Sequence, residues 1–270
     1  MANDYRVIGL LEAEAIDLDT SALALAAPDH PSVPLEPYFE HLTDLTRRLV
    51  EAGRGAASAA GQAEALATVF GADCDYRGDT ETYEHPDNAD LIRVIDRRRG
   101  LPISLSILYV AAARRLGWAA EILNTPGHVL VRIGPETDPL LIDPFDGGAV
   151  VTPDRLAMLL RRALGGATSP SADHLAPMDN RGALVRLLLN QASRAEAGGK
   201  VARALTLYER MTAIAPDYPQ AWWDRARLER STGDIHEARA SLSAMLEVTR
   251  DLRVRNHVYA AMDAISGTTG

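Results

Sequence analysis

The C-terminal third of the chain repeats itself with a period of 34 residues. Three pairs of identical residues stand at this offset: Gly199 and Gly233, Ala204 and Ala238, Met211 and Met245. Units of this length are helix–turn–helix pairs that stack on their neighbours, with the glycine between two helices and the small alanine where they pack closely. The pattern predicts an all-α region over residues 181–270, with a capping helix over 252–266.

The tetratricopeptide repeat has this period and this helical content. The second copy contains the stretch AWWDRARLERSTGDIHEARASL, and the first copy ends in the prolines Pro216 and Pro219. Stacked helix pairs form a concave recognition surface. We therefore predict that the repeats bind a protein or peptide partner through Trp222 and Trp223. One of these tryptophans is expected in the repeat core and the other at the surface.

The preceding residues alternate helical patterns with short apolar segments. Apolar spacing and breaker residues predict helices over 36–53, 62–71, 90–98, 103–116 and 154–164. Short strands are predicted over 120–124, 128–133 and 139–143, with a turn at 134–138 between the last two. We expect an N-terminal arm over 1–35 with a short helix at most, an α+β domain over 36–165 and a linker over 166–180.

Composition excludes several classes of function. The net charge is −9 and no long basic run occurs, which argues against nucleic acid or an anionic membrane as a partner. The run Arg97–Arg99 is interpreted as a solvated helix end. No apolar stretch is long enough to span a membrane, no secretory signal precedes the first helix, and the single Cys74 excludes an internal disulfide. These features predict a cytoplasmic protein.

No cofactor or metal is predicted. Neither a glycine-rich phosphate loop nor a cluster of cysteines and histidines with ligand spacing occurs in the chain. The pair His236–Glu237 begins like a zinc-helix motif, but Ala240 stands where the second histidine is required. The sequence leaves the oligomeric state open.

The predicted hairpin carries the residues with the clearest chemical meaning. A hairpin centred on the 134–138 turn places His128 directly opposite Asp143. Directly opposed residues have Cβ atoms about 4.5–5.5 Å apart, which lets a carboxylate reach an imidazole. An aspartate that holds a histidine is two thirds of a nucleophilic triad, although the pair could equally be structural.

Three blocks in this order resemble a known family. RRRGLPISLSILYVAAARRLGW, TPGHVLVRI and LIDPFDGG are similar to the bacterial SirB-one-like family, which joins a transglutaminase-like domain of the papain-type superfamily to tetratricopeptide repeats. The resemblance covers about residues 36–265. It implies a helical and antiparallel-sheet domain, with His128 and Asp143 at the positions of the catalytic histidine and aspartate.

The nucleophilic cysteine of the superfamily is missing from the matching position of this chain. In active members a cysteine stands at the N-terminus of the helix before the strands, where the helix end lowers the thiol pKa. This chain has Pro102 at that position, so a cysteine mechanism is excluded there. Ser104 in the first helical turn and Cys74 in the preceding loop are the remaining candidate nucleophiles, each with an ordinary alternative as a helix cap or a small buried residue.

Three functions remain open. The leading hypothesis is a catalytically silent transglutaminase-like domain that acts as a binding module beside the repeats. The second is a hydrolase or acyl transferase acting on amide bonds, with His128 as base and Asp143 as its orienting group. The third is a small-molecule sensor that uses the former active-site cleft. Fold alone does not decide among them.

Overall fold

The computed structural model describes residues 4–164 and 171–266 of the chain and divides into two compact units. One unit comprises the described residues between 13 and 187, and the other comprises residues 4–12 with 188–266. The boundary at 187 falls inside a helix rather than in the predicted linker, of which residues 166–170 lie outside the described part. The two units are described separately below.

The first unit is built around one buried helix. Its helices are α1 (Leu18–Ala26), α2 (Glu36–Ala52), α3 (Ala59–Leu66), α4 (Leu91–Arg97), α5 (Pro102–Arg115), α6 (Pro153–Leu164) and the start of α7 (Asn180–Ala197). Every residue of α5 from Pro102 to Ala113 is buried. A helix that is apolar on all sides belongs in a core, and Pro102 opens it because the first helical residue needs no N–H partner.

The strands form two separate groups. In the larger sheet the spatial order is β6-β5-β4-β3-β7 and all described pairings are antiparallel. A short parallel pair, β1 with β2, lies apart from it. The strands are β1 (Arg77–Gly78), β2 (Arg99–Gly100), β3 (Ala120–Leu123), β4 (Leu130–Ile133), β5 (Leu140–Asp143), β6 (Ala149–Val150) and β7 (Pro177–Met178). Because α5 contacts β3 and β4, the sheet and the buried helix share one core. The predicted α+β class is confirmed.

The predicted hairpin forms with a different register. Val131 pairs with Ile142, whereas the predicted register would place Leu140 opposite it. His128 lies in a bend before β4 rather than in the strand itself. The segment between the two strands runs over 134–139, one residue longer than the predicted turn, and the strands beside it pair two residues out of the predicted register. Turn length alone was an insufficient guide to the register.

The predicted arm and linker are wrong over most of their described residues. Residues Leu18–Ala26 form α1, in which Leu23 is fully buried, and α1 contacts α4 and α5. Residues Tyr5–Leu10 form a 3₁₀ helix, which contacts the helix Val201–Ile214 within the second unit. Within the predicted linker, β7 pairs with β3. Two-residue strands and short apolar turns carry too little periodicity to be recognised in the sequence.

The second unit has the predicted repeat architecture. Its helices are the rest of α7, α8 (Val201–Ile214), α9 (Pro219–Ser231), α10 (Ile235–Val248) and α11 (Leu252–Ser266). Gly199 and Gly233 occupy equivalent turns with φ of 69° and 87°, a conformation that favours glycine. Ala204 and Ala238 are both fully buried, as close helix packing requires. The 34-residue register is therefore confirmed.

Candidate functional site

His128 and Asp143 form a hydrogen-bonded pair despite the altered register. His128 Nε2 lies 3.0 Å from Asp143 Oδ1. The histidine stands in the bend that leads into β4, and the aspartate is the last residue of β5. The side chains thus bridge two neighbouring strands near one end of the hairpin. The sequence prediction that these two residues meet is correct, although they are not directly opposed.

Asp143 is held from two further sides. The backbone N–H of Phe145 donates to Oδ1 at 3.0 Å, and Arg155 Nη2 of α6 donates to Oδ2 at 2.8 Å. The carboxylate is almost fully buried, with 2% of its side chain exposed. Hydrogen bonds to a charged acceptor are stronger than neutral ones and fix its orientation. Arg155 also binds Asp146 through Nη1 at 2.8 Å, which anchors the guanidinium.

Aromatic rings form one wall of the site. The ring of Phe145 meets the ring of His128 edge-on, at a centroid distance of 5.9 Å and an angle of 83°. Tyr83 contacts Phe145 in a similar edge arrangement at 5.8 Å. Gly78 of β1 lies beneath this wall, and a Cβ atom there would come within 2.4 Å of the Phe145 ring. A glycine is therefore required where the backbone approaches the ring.

The pair leaves one imidazole nitrogen available. An ionised carboxylate only accepts hydrogen bonds, so Asp143 selects the tautomer with hydrogen on Nε2. The lone pair of the neutral ring then lies on Nδ1. Within the described residues, the hydrogen bonds of the ring involve Nε2 alone. The His128 side chain is 17% exposed, so Nδ1 has limited access to solvent. Such a ring can accept a proton from a group placed beside it.

The candidate nucleophiles lie elsewhere. Ser104 is fully buried, and its hydroxyl donates to the carbonyl oxygen of Asn88 at 2.7 Å. Cys74 is half-buried, and burial raises the pKa of its thiol, with the charges of Arg48 and Arg98 opposing that shift. A raised thiol pKa is the opposite of activation. Among the described residues, neither side chain hydrogen-bonds to His128.

Pro102 occupies the position that the resemblance assigns to the nucleophile. It is buried at the first residue of α5, and the preceding Leu101 offers no side-chain cap to the helix end. A proline has neither a nucleophilic side-chain atom nor a backbone N–H. This helix terminus therefore offers one free N–H donor fewer than a terminus that begins with another residue. Nothing in the described part of the chain replaces the missing thiol at this point.

The two tryptophans differ from their prediction. Both are half-buried, so neither is a core residue and neither is fully exposed. Trp222 Nε1 donates to the carbonyl oxygen of Pro216 at 2.8 Å, which ties the ring to its own repeat turn. Trp223 packs on His257 at a centroid distance of 4.4 Å and lines a cavity of about 60 Å³ with Arg227 and Arg230. Of the two tryptophans, Trp223 is the one among the lining residues of this cavity.

The arginine run at the end of α4 is not a solvated helix end. Arg97 donates to Asp79 and Asn88, at 2.7 and 3.0 Å, and Arg99 donates to Asp75 at 2.9 Å. Arg98 contacts His41 and Tyr76. No sequence pattern indicates these contacts, or the contact of Arg155 with the His128–Asp143 pair. Phe145, by contrast, stands inside the LIDPFDGG block that drew attention to Asp143.

The described residues contain neither a cluster of metal-ligand side chains nor a helix suited to spanning a membrane. No group of three or more histidine, cysteine, aspartate or glutamate side chains is arranged there to hold a metal ion. His236 and Glu237 are neighbours on the exposed surface of α10, with Nδ1 3.3 Å from Oε1. No helix in the described ranges is both long and apolar enough to cross a membrane.

Comparison with known proteins agrees with this architecture. A family model described as the transglutaminase-like superfamily matches residues 36–189, and a tetratricopeptide-repeat model matches residues 195–262. A similarity to a crystal structure of menin, with 14% identity and a TM-score of 0.34 over 90% of this chain and 65% of menin, is too low to support an argument.

Several bacterial relatives share the chain more broadly. A UPF0162 protein of Xylella fastidiosa strain 9a5c is 34% identical over 64% of this chain and 63% of its own length. That of strain Temecula1 is 32% identical over 68% of each chain. A UPF0162 protein of Pseudomonas aeruginosa is 30% identical over 76% of this chain and 75% of its own length. The chain therefore belongs to the transglutaminase-like superfamily, among the UPF0162 proteins, and carries tetratricopeptide repeats after its transglutaminase-like domain.

Proposed function

We propose that the transglutaminase-like domain of this chain is non-catalytic and that the protein acts as a scaffold or regulator whose repeats bind a polypeptide. The observation that carries the proposal is Pro102, buried at the first residue of α5, where active members of the superfamily place their cysteine. The finer assignment to the SirB-one-like family, based on the three sequence blocks, stays part of this proposal. So do a cytoplasmic location and the absence of nucleic acid and membrane partners.

The His128–Asp143 pair has a structural role under this proposal. Asp143 collects donors from the bend before β4, from the turn after β5 and from α6. A buried carboxylate with all three partners holds these segments in one arrangement, whether or not chemistry takes place there. Retention of the pair without a nucleophile is therefore consistent with a folding role.

A paired activity assay tests the non-catalytic domain. We would measure the incorporation of a fluorescent primary amine into a glutamine-containing protein, and the release of ammonia, for the wild-type chain and for His128→Ala. The two proteins are expected to give the same background rate. Turnover by the wild-type chain that His128→Ala abolishes would contradict the proposal.

The Pro102→Cys variant tests whether His128 lies close enough to the first residue of α5 to act on a thiol there. A thiol introduced at the first residue of α5 has the helix terminus to stabilise its thiolate. If His128 faces this position, the variant is expected to react with iodoacetamide faster than Pro102→Cys combined with His128→Ala. Cys74→Ala in both backgrounds removes labelling of the native thiol. Equal labelling of the two variants would show that His128 does not serve this helix end.

The proposed partner surface is the cavity at Trp223. Its lining combines the indole with Arg227 and Arg230 of α9, together with apolar residues of α10 and α11. An aromatic ring next to guanidinium groups is the composition typical of residues that dominate binding energy. Arg227 is also bound to Glu196 at 2.6 Å, so Arg230 is the more available of the two cations.

Site-specific crosslinking tests the partner surface. A photoreactive phenylalanine analogue at Arg230 is expected to give a discrete crosslinked product in bacterial cells that express the chain. Trp223→Ala in the same protein should reduce this product at least about tenfold, if the indole is a binding anchor. The analogue at exposed Tyr259 of α11 provides the control position. Crosslinking that does not depend on Trp223 would contradict the assignment.

The distance between His128 and Asp143 supports a second candidate function. His128 Nε2 to Asp143 Oδ1 at 3.0 Å is the geometry of a base with its orienting carboxylate. A hydrolase or acyl transferase would then use Ser104 or Cys74 as nucleophile after a rearrangement that frees either group. Ser104→Ala and Cys74→Ala, tested separately against any activity found, decide this alternative. Activity that survives both changes removes it.

A further inference from the structure

Arg98 stands at the end of α4 in a conformation that is rare for its residue type. Its φ and ψ are 57° and 24°, in the left-handed region where glycine is usual at a helix terminus. A residue with a Cβ atom is strained there relative to glycine. The contacts of the Arg98 side chain define a second site in the transglutaminase-like domain.

The guanidinium of Arg98 is bound by neutral groups. Its Nη1 lies 2.6 Å from His41 Nε2 and also donates to the Tyr76 hydroxyl, and the guanidinium carbon lies 4.7 Å from the centre of the Tyr76 ring. Burial, followed by the charge of Arg98, lowers the pKa of His41 to about 4, so the ring is neutral at pH 7. Burial raises the pKa of Tyr76, so the phenol is neutral as well.

No carboxylate of the described residues forms an ion pair with Arg98. The half-buried charge is therefore stabilised by dipoles and a ring face alone. Nη1 is engaged, but the edge formed by Nε and Nη2 makes no hydrogen bond to the described part of the chain. Two parallel N–H groups on this edge match the two oxygens of a carboxylate. A partly desolvated cation with a free bidentate edge attracts an anion.

Arg98 is one of the residues that line a cleft with mostly apolar walls. The cleft has a volume of about 420 Å³. Its lining residues are Val33, Pro34, Pro37, Tyr38, His41, Ile95, Asp96 and Arg98. The volume lies within the range of roughly 300–1,000 Å³ found for small-molecule pockets. An apolar wall beside one cation fits an acid whose charged group is attached to an apolar body.

The charges of the cleft favour a monoanion. Asp96 also lines the cleft, where it accepts a hydrogen bond from Tyr38 at 3.0 Å and lies 3.6 Å from Arg93. The cleft therefore contains one available cation and one carboxylate that already has partners. A phosphate dianion would meet only one available guanidinium while being repelled by Asp96, whereas one guanidinium neutralises one carboxylate.

From these observations we propose that the cleft at Arg98 binds a small organic carboxylate, with the acid group on the Nε–Nη2 edge and an apolar body against Val33, Pro34 and Pro37. The site is distinct from the His128–Asp143 pair and goes beyond the proposed function of the domain. It does not depend on whether that domain is catalytic or on what the repeats bind.

Titration of the full chain with sodium benzoate tests the proposal. Binding is followed by the ¹⁵N–¹H signal of the Arg98 Nε group and by calorimetry. Benzoate is expected to shift the Arg98 signal saturably, and its neutral analogue benzamide is expected not to bind. Arg98→Gln should weaken benzoate binding by more than about tenfold, because the charged bidentate contact is lost. The control Arg54→Gln removes an exposed arginine that does not line the cleft. This variant should bind benzoate with the affinity of the wild-type chain.

Asp96→Asn keeps the test decisive if Arg98→Gln does not fold. Removal of the like charge should strengthen benzoate binding by about two- to tenfold, a gain that a misfolded protein cannot mimic. Benzamide that binds as well as benzoate, inorganic phosphate that binds more tightly than benzoate, or binding that is unaffected by both variants would overturn the proposal. A peptide with a free C-terminal carboxyl that binds at least about tenfold more tightly than benzoate would overturn the assignment to a small acid and indicate a polypeptide terminus instead.

Discussion

At the scale of single residues, two buried carboxylates of the first unit differ in where their hydrogen-bond donors come from. Asp143 accepts three hydrogen bonds from separate segments, whereas Asp19 accepts one from the backbone of Thr20 and two from the single guanidinium of Arg115, which also binds Asp17. Burial of a carboxylate is tolerated only when its partners offset the loss of hydration.

Asp143→Asn is expected to lower the free energy of unfolding by about 1–3 kcal/mol, because an amide cannot satisfy all three donors and leaves Arg155 without its buried counterion. Denaturant unfolding measures this change. Asp146→Asn is the matched control, since Asp146 binds the same Arg155 but its side chain is 59% exposed. The control should change stability by less than about 1 kcal/mol. Equal effects would show that burial of Asp143 has no energetic consequence.

The raised pKa of Asp19 leads us to expect that the stability of the chain depends on pH. Burial raises the pKa of Asp19 to about 6, although Arg115 opposes the shift. Since the folded-state pKa lies above the unfolded value, the folded chain binds more protons between about pH 4 and 6. The contribution of Asp19 to stability is therefore fully present below pH 4 and is lost as the pH rises through 6.

The pH dependence is measured as the difference in unfolding free energy between the wild-type chain and Asp19→Asn across pH 4–7. This difference should change by about 2–3 kcal/mol in favour of the variant as the pH rises, at about 1.4 kcal/mol for each pKa unit. Asp17→Asn, which removes the more exposed partner of Arg115, should retain most of the wild-type slope. A difference that is constant with pH would contradict the raised pKa of Asp19.

At the scale of elements, α5 organises the first unit because both of its ends and all of its faces are in contact with protein. Its first turn is tied to the preceding loop through Ser104, which donates to the Asn88 carbonyl at 2.7 Å. The Asn88 side chain in turn donates to the carbonyl oxygens of Thr82 and Tyr83, at 2.7 and 3.3 Å. The start of the buried helix thereby positions the loop that carries Tyr83 against Phe145, beside His128.

Two serines of α5 allow a matched comparison. Ser104 and Ser106 are both fully buried, but the hydroxyl of Ser106 makes no hydrogen bond within the described structure. Ser104→Ala should therefore lower the free energy of unfolding by about 1 kcal/mol, while Ser106→Ala should be neutral or stabilising, because it removes an unsatisfied polar group. Thermal and denaturant unfolding measure both. Destabilisation by Ser106→Ala larger than that by Ser104→Ala would indicate a partner for Ser106.

At the scale of the whole molecule, burial is unevenly distributed among the helices of the transglutaminase-like unit. Helix α5 is buried along nearly its whole length, whereas Leu160 is the buried residue of α6. Helix α6 nevertheless supplies Arg155, which holds Asp143. The site therefore combines a rigid core helix with a helix that is anchored by few apolar contacts.

Native-state hydrogen exchange should resolve this difference. Amides in the middle of α5 are expected to exchange only through global unfolding of the unit, whereas amides of α6 should exchange through local opening that requires at least about 2 kcal/mol less. Arg155→Gln should increase exchange in α6 while leaving that of α5 close to the wild-type value. Equal protection of the two helices would show that α6 opens only with the core.

The sequence by itself determined the features that arise from local periodicity and short-range order. The 34-residue repeat fixes which residues are equivalent in α8 and α10, because each repeat must bury the same face on its neighbour. The three sequence blocks identified the transglutaminase-like domain. His128 and Asp143 were predicted to meet for an imperfect reason: the register was off by two residues, yet diagonal positions in a hairpin remain within reach of long polar side chains.

Only the tertiary structure decided the contacts between segments that are distant along the chain. Arg98 is 57 residues from His41, and Arg115 is 96 residues from Asp19. No period or motif encodes such pairs, because they depend on which faces meet after the helices pack. For the same reason, burial of α1, addition of β7 to the sheet and the bond from Arg155 to Asp143 carried no recognisable signal. Local propensity specifies elements, whereas the positions of charged groups relative to one another are set by packing.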